Sequence, residues 1–273
     1  MSAARDRPAD VLLDLLRSVG RKGYSVRFLI EAGALFGFTE NTVRVTLSRL
    51  LTRELVESPA RGRYRLARRT DTVNAFVERW RAGEDRVRPW TPGDWLFAHA
   101  ADAAARGRWV LDALGFREAR LGLWVRPDNL SLDLAGLRAL ARDLGLGDDV
   151  LLLAGRPEGD PVPEAWVALW DPPSWIGAQR ELVRRLKESA ARLPDLPTAR
   201  ARLESFRLGG EAIHCLAKDP LLPEALADPS ARRALWEAML AYDALGRAAW
   251  ANREAADGQR LPVPQLAVED DRE

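Results

Sequence analysis

Apolar residues recur at helical spacing in three successive stretches at the start of the chain. Val11, Leu12, Leu15, Leu16 and Val19 predict a first helix over 8–19, with Pro8 suited to its first turn. A second amphipathic run starts at Ser25 and carries Phe28, Leu29 and Leu35, and Phe36-Gly37-Phe38 leads directly into a third. Over 39–54, Val43, Leu47, Leu50 and Leu51 gather on one stripe, while Asn41, Val45, Ser48, Arg49 and Thr52 face the other way and Arg44 and Arg53 flank them. Thr39 suits the N-cap, where a hydroxyl accepts from an unpaired amide of the first turn. Two helices joined by a tight glycine-containing turn form the helix-turn-helix pattern. Leu55-Val56-Glu57 and Tyr64-Arg65-Leu66 then flank a turn that holds Arg61, Gly62 and Arg63, which predicts a hairpin placed as a wing after the third helix.

The outer face of the third helix has the chemistry of a groove-reading surface. Arginine, serine and asparagine hydrogen-bond to base edges, and small apolar groups touch thymine methyls. The candidate DNA-binding residues are therefore Asn41, Thr42, Arg44, Val45, Ser48 and Arg49 on the helix, with Arg61 and Arg63 at the tip of the wing. A small helical core with a merely solvated charged face is the plainer alternative, and charge weighs against it. Residues 1–70 hold 14 Lys plus Arg against 7 Asp plus Glu, a net of +7, whereas the whole chain has 41 against 40, leaving −6 for the remainder. Positive potential is thus concentrated on the segment that bears the helix, as attraction to phosphates requires. Double-stranded operator DNA is the expected partner. A homodimer is expected too, because one helix reads few bases and two half-sites multiply specificity.

Composition changes beyond this segment. All ten tryptophans lie at or after Trp80, and Pro89-Trp90-Thr91-Pro92-Gly93 suits a connector. Residues 71–82, with Val73, Phe76, Val77 and Trp80, predict a linking helix. From Asp94 to Ala154 the pattern reads strand (Trp95 to Ala98), helix (Ala101 to Leu114), strand (Leu121 to Val125), helix (Leu134 to Leu144), strand (Val150 to Leu153). This order predicts a small α/β unit of ferredoxin-like type with one or two short strands left unplaced, Trp166 to Leu169 being a candidate for one. Helix dominates afterwards, over Ile176 to Leu193, Pro197 to Leu208 and Ser230 to Ala255. The expected fold class is α+β multidomain: a winged helix-turn-helix over 1–70, a linking helix and connector over 71–90, a ferredoxin-like domain over 91–172, a helical C-terminal domain over 173–260 and a disordered tail over 261–273.

Other constellations have competing readings. Arg126, at a strand end beside Trp124 and before Pro127, is a candidate for binding a ligand phosphate or stacking on a base, against the commoner role of an ion pair between domains. Arg180, Arg184 and Arg185 read as a solvated face before a phosphate cradle. Adjacent His214 and Cys215 match no metal-ligand set, and neighbours on one helix or strand point apart, so neither a metal nor a catalytic nucleophile is expected there. Trp236, Met239, Leu240, Asp243, Arg247 and Trp250 share a stripe on the last helix, where Asp243 and Arg247 pair internally or mark a dimer contact. The single cysteine, Cys215, precludes an intrachain disulfide. With neither a signal peptide nor an apolar run of about 20 residues, a cytoplasmic location is expected, without membrane or cofactor. The rival function is an enzyme, a nuclease or hydrolase on the central domain, but its strands hold no carboxylates, Asp94 and Asp149 only flanking them. A protein-binding winged helix is a third option, and it leaves the +7 segment unexplained.

The segment Asn41-Thr42-Val43-Arg44-Val45-Thr46-Leu47-Ser48-Arg49-Leu50 resembles the winged-helix region of the PaaX family of repressors. Gly122-Leu123-Trp124-Val125-Arg126-Pro127 resembles that family's central signature, and Asp219-Pro220-Leu221-Leu222-Pro223 followed by a long helix resembles its C-terminal one. The likeness runs from about residue 10 to 255 in the family order. It implies a bacterial repressor with a winged helix, a central ferredoxin-like domain similar to that of the CRISPR-associated Cas2 proteins, and a helical C-terminal domain. It also implies a DNA-binding role for Arg44, Ser48 and Arg49, and release from DNA by an acyl-CoA inducer, phenylacetyl-CoA or a related thioester. No family motif maps the ligand site onto particular residues here.

Overall fold

The computed structural model describes residues 7–100, 105–159 and 162–251 of a mixed α+β protein with two small antiparallel sheets. The tail expected over 261–273 lies outside the described residues, as does the start of the helix expected from Ala101.

Three helices, α1 (Pro8–Val19), α2 (Val26–Leu35) and α3 (Glu40–Thr52), pack the apolar stripes of the sequence together. Leu12, Leu16, Leu29, Val43, Leu47 and Leu50 are all buried in one cluster. Removing a leucine or valine side chain from water contributes about 1.5–3 kcal/mol, so this cluster accounts for the stability of three short helices better than propensity does. Beside them β1 (Tyr24–Ser25), β2 (Val56–Ala60) and β3 (Arg63–Leu66) form a sheet in the order β1-β3-β2. The hairpin β2–β3 was expected, and β1 was not. Two residues give no periodicity, and Ser25 also caps α2, its Oγ accepting from the Phe28 amide at 3.2 Å.

Helix α4 (Asp71–Glu78) follows and passes into a tight helical segment, Arg79–Arg86, broken at Gly83 with φ 50° and ψ −123°. Val73 and Phe76 lie against the core of the central sheet, and Trp80 is fully buried in the helical core beyond.

The central region runs β4 (Trp95–His99), α5 (Ala105–Ala113), β5 (Arg117–Arg120), β6 (Leu123–Pro127), α6 (Leu134–Asp143) and β7 (Leu151–Gly155). Its sheet has the order β5-β6-β4-β7, antiparallel throughout, with Phe97 opposite Val125 on one side and Leu153 on the other. Alternation along β4 divides the molecule's interior: Leu96 and Ala98 face the core shared with α5 and α6, whereas Trp95 and Phe97 face a second cluster with Val125 and Trp170. The strand expected over Leu121 to Val125 is β6, which begins two residues later, and β5, paired with it in a hairpin, is the strand that the pattern left unplaced. Leu121 sits in the turn, 93 % exposed, next to Gly122 at φ 74°. Trp166 to Leu169 is not a strand either. It forms the turn-length helix α7 (Glu164–Val167) and the tight turn Ala168–Trp170, with Trp166 edge-on to Trp95 at 5.0 Å between ring centres.

The last region is a bundle of α8 (Pro172–Arg192), α9 (Thr198–Ala217) and α10 (Ser230–Ala251) around Leu182, Leu186, Leu208, Leu235, Met239 and Tyr242. Helix α9 continues well past the expected end at Leu208, as far as Ala217, which puts His214 and Cys215 on it. On α10 the expected stripe is partly corrected: Met239 is buried, but Leu240 is 37 % exposed and Tyr242 takes the inner position. The loop Asp219–Leu222 between α9 and α10 is buried and reaches the central sheet.

Candidate nucleic-acid interface

Thr39 caps α3 as its position in the sequence requires, its Oγ1 accepting from the Thr42 amide at 3.1 Å. The Thr42 hydroxyl lies 2.9 Å from the same oxygen, so Thr42 belongs to the cap. With the entry fixed and Val43, Leu47 and Leu50 pointing inward, Asn41, Arg44, Val45, Ser48, Arg49 and Thr52 are left exposed on the outer side. Val45 is 39 % exposed and places an apolar spot among polar groups. Arg44 Nε donates to Glu40 Oε1 at 2.7 Å across one helical turn. A surface pair of this kind contributes only about 0.3–0.5 kcal/mol and yields readily to a stronger anion. Arg49 and Arg53 make no side-chain hydrogen bond or ion pair among the described residues.

The hairpin separates its two arginines. Arg61 is exposed at the turn, and its side chain has no hydrogen-bond or ion-pair partner among the described residues. Arg63, which the sequence places at the tip, begins β3 opposite Ser25, and its Nη1 donates to the Lys22 and Gly23 carbonyl oxygens, both at 3.0 Å. That guanidinium ties the hairpin to the loop before α2.

Helix α2 is anchored from behind by aromatic rings of the helical bundle. Phe36, just past its end, meets Phe206 of α9 edge-on at 5.1 Å between ring centres, and Phe28 lies 6.3 Å from Trp250 of α10. The Arg207 guanidinium stands over the Phe36 ring at 5.8 Å. Such contacts add about 0.5–1.5 kcal/mol per aromatic pair to the area they bury.

The remaining candidates resolve as follows. Arg126 is 1 % exposed and forms no ion pair among the described residues. Its guanidinium donates to the carbonyl oxygens of Leu114, Pro127 (3.0 Å) and Pro220 (3.5 Å) and to Asn129 Oδ1 at 3.1 Å, and Asn129 Nδ2 donates to Leu221 O at 2.6 Å. The Gly122–Pro127 and Asp219–Pro223 segments, 94 residues apart at Arg126 and Pro220, thus interlock. Trp95 and Trp170 are fully buried and form core. Arg184 pairs with Glu181 and Glu188, and Arg185 with Glu211. Asp243 accepts from Arg247 at 2.9 Å as the spacing predicts, and from Arg81 at 2.9 Å, which the spacing does not reveal. Burial pushes the Cys215 thiol up to about 12. Among the described residues, no group of three His, Cys, Asp or Glu side chains is gathered as for a metal ion, and no helix is long and apolar enough to cross a membrane.

No family model matches the chain, and no curated protein matches it. Among solved structures it is similar to an uncharacterized protein, Rv0674 from Mycobacterium tuberculosis, at 27 % sequence identity and a TM-score of 0.57, over 91 % of this chain and 97 % of that one.

Proposed function

We propose that the chain is a DNA-binding transcriptional repressor that reads operator DNA through α3. The observation that carries this reading is the outer face of α3, where Asn41, Val45, Ser48 and Arg49 are exposed side by side on a capped helix and the Arg49 side chain has no partner among the described residues. The +7 charge of residues 1–70 supports it. So does the order of elements: α2, a glycine turn and α3 followed by the β2–β3 hairpin is the order of a winged helix, with Arg61 of the wing beside the backbone. The strand-helix-strand-strand-helix-strand run of the centre, in the order β5-β6-β4-β7, supports reading it as a ferredoxin-like domain. The repressor acts as a homodimer on two half-sites, and an acyl-CoA thioester, phenylacetyl-CoA first among them by the family likeness, releases it.

Selection of bound duplexes from a random pool by the full chain tests the reading directly. A single enriched sequence, with spaced half-sites and a dimer in sedimentation, is the expected result; recovery of unenriched DNA defeats it. The wing supplies a second test. Arg61→Ala is expected to flatten the dependence of log K on log salt by about 0.9 for each phosphate that the arginine neutralises in the complex, and an unchanged slope removes the wing from the interface. Release is tested by titrating a panel of thioesters into the operator complex. A 5- to 150-fold weakening corresponds to a coupling of about 1–3 kcal/mol, and no shift at saturation rejects the inducer class while leaving DNA binding intact.

A further inference from the structure

A buried guanidinium ordinarily sits against a carboxylate, because a buried, uncompensated charge is costly. Two arginines of this chain lack that partner among the described residues and open on the same cleft. Arg86, 6 % exposed, donates from Nε to Gly83 O at 3.0 Å and from Nη1 to Leu216 O at 3.2 Å, which leaves three of its five N–H groups uncommitted. Arg126 is held by the oxygens already described, all of them neutral. Neither lies within 4.0 Å of a carboxylate among the described residues. A third guanidinium, that of half-buried Arg79, lines the cleft with them and makes no hydrogen bond or ion pair among the described residues. The one carboxylate in the lining, Asp219, is already taken: Gln179 Nε2 donates to its Oδ2 at 2.5 Å, the Leu221 amide to its Oδ1 at 2.7 Å, and Arg232 stands 3.9 Å away. Burial lowers all three guanidinium groups, Arg86 to about 10 and Arg126 to about 9, and the charge of Arg79 adds to the fall in both.

Three cations and one anion leave a charge of +2 at this spot, with Phe76, Leu114 and Leu130 as apolar walls. We propose that the cleft binds an oxyanion, the phosphate or carboxylate group of a small ligand, through the free N–H groups of Arg79 and Arg86, with Arg126 as the fixed positive floor. A phosphate monoester dianion matches the charge; a carboxylate offsets half of it. The forked, planar guanidinium suits either group by paired hydrogen bonds. The place also gives the ligand leverage. Phe76, Arg79 and Arg86 come from α4 and its extension, Leu114 and Arg126 from the central region, and Asp219 and Leu221 from the loop before α10, so an anion here draws three parts of the chain together. The site stands independently of the DNA-binding reading, and its test leaves that reading untouched.

The test is thermal unfolding of the full chain in sodium chloride, with sodium phosphate or sodium benzoate substituted at equal ionic strength. A rise in Tm that grows with the logarithm of phosphate concentration is expected, about 3 to 6 °C at ten times the dissociation constant for a chain of this size. A response to phosphate alone assigns a phosphate ligand; a response to benzoate as well admits a carboxylate. Phosphate also stabilises proteins by exclusion from their surface, so the comparison with Arg79→Gln decides. That variant is expected to melt at or above the wild-type temperature in chloride, since repulsion is relieved, and to lose the logarithmic rise. Arg79→Lys, which keeps the charge without the fork, keeps the rise at higher phosphate concentration, and Arg184→Gln on the outer face of α8 behaves as wild type. A wild-type chain indifferent to both anions, or an Arg79→Gln response equal to the wild-type one, overturns the proposal.

Discussion

Replacing Gly83 by alanine is expected to destabilise the protein by about 2–6 kcal/mol, the sum of backbone strain of about 1–3 kcal/mol and overpacking of about 1–3 kcal/mol. Both contributions are local and can be separated. The backbone at Gly83, φ 50° and ψ −123°, lies where side chains other than hydrogen are rarely found. A Cβ there would also stand 2.6 Å from Cε2 of the Trp236 ring, inside any real contact distance. That ring is fixed on its other side, its Nε1 donating to Arg81 O at 3.2 Å, and it cannot retreat without opening the junction of α10 with the linking segment. Urea unfolding followed by far-UV circular dichroism measures the loss. Adding Trp236→Leu to Gly83→Ala is expected to recover the overpacking part and leave the strain, so the double variant is more stable than the sum of the singles. A loss under about 1 kcal/mol, less than the backbone strain alone would cost, shows that the turn is not held as described.

The second large effect concerns recognition. Arg49→Ala is expected to weaken binding to the selected operator by roughly 5- to 150-fold, the equivalent of about 1–3 kcal/mol for one bidentate contact to guanine. Scrambled DNA should be affected little. Stability should not change, because Arg49 is exposed and its side chain has no partner among the described residues. This asymmetry distinguishes Arg49 from Arg44, whose pair with Glu40 must open before it can serve DNA. Fluorescence anisotropy with operator and scrambled duplexes gives the two ratios. An equal loss on both identifies a phosphate contact, and no loss on either removes Arg49 from the reading surface.

The parts of this fold legible in the sequence are those whose information is local. α3 could be read because a 3.6-residue period separates Val43, Leu47 and Leu50 from Asn41, Ser48 and Arg49, and because its cap lies three residues from the amide it serves. β5 could not, since Arg117, Glu118 and Arg120 offer no apolar alternation and the strand is defined by its pairing with β6. Trp166 to Leu169 carried the apolar run of a buried strand, but the segment closed into a turn of helix whose Trp166 and Trp170 pack against Trp95 of the central sheet. Arg63 looked like a tip residue by position alone, and its carbonyl partners lie some 40 residues earlier. The cationic cleft is the extreme case. Arg79 and Arg86 lie on one segment and Arg126 on a distant strand, and nothing in their sequence neighbourhoods announces that they share one space or that two of them are buried without a counter-ion among the described residues.

The aromatic seam behind α2 also bears on the order in which this protein is made. Phe36 emerges from the ribosome early, but the ring that covers it, Phe206, follows about 170 residues later, a delay of roughly ten to thirty seconds at ordinary rates of synthesis. Throughout that interval α1, α2 and α3 can close around Leu12, Leu29 and Leu47, while the sides of Phe36 and Phe28 that Phe206 and Trp250 later meet stay uncovered. The module is therefore finished only after the bundle that follows it in the chain. A fragment cut after the hairpin keeps those ring faces uncovered permanently, and its tendency to self-associate would be a property of the cut rather than of the module.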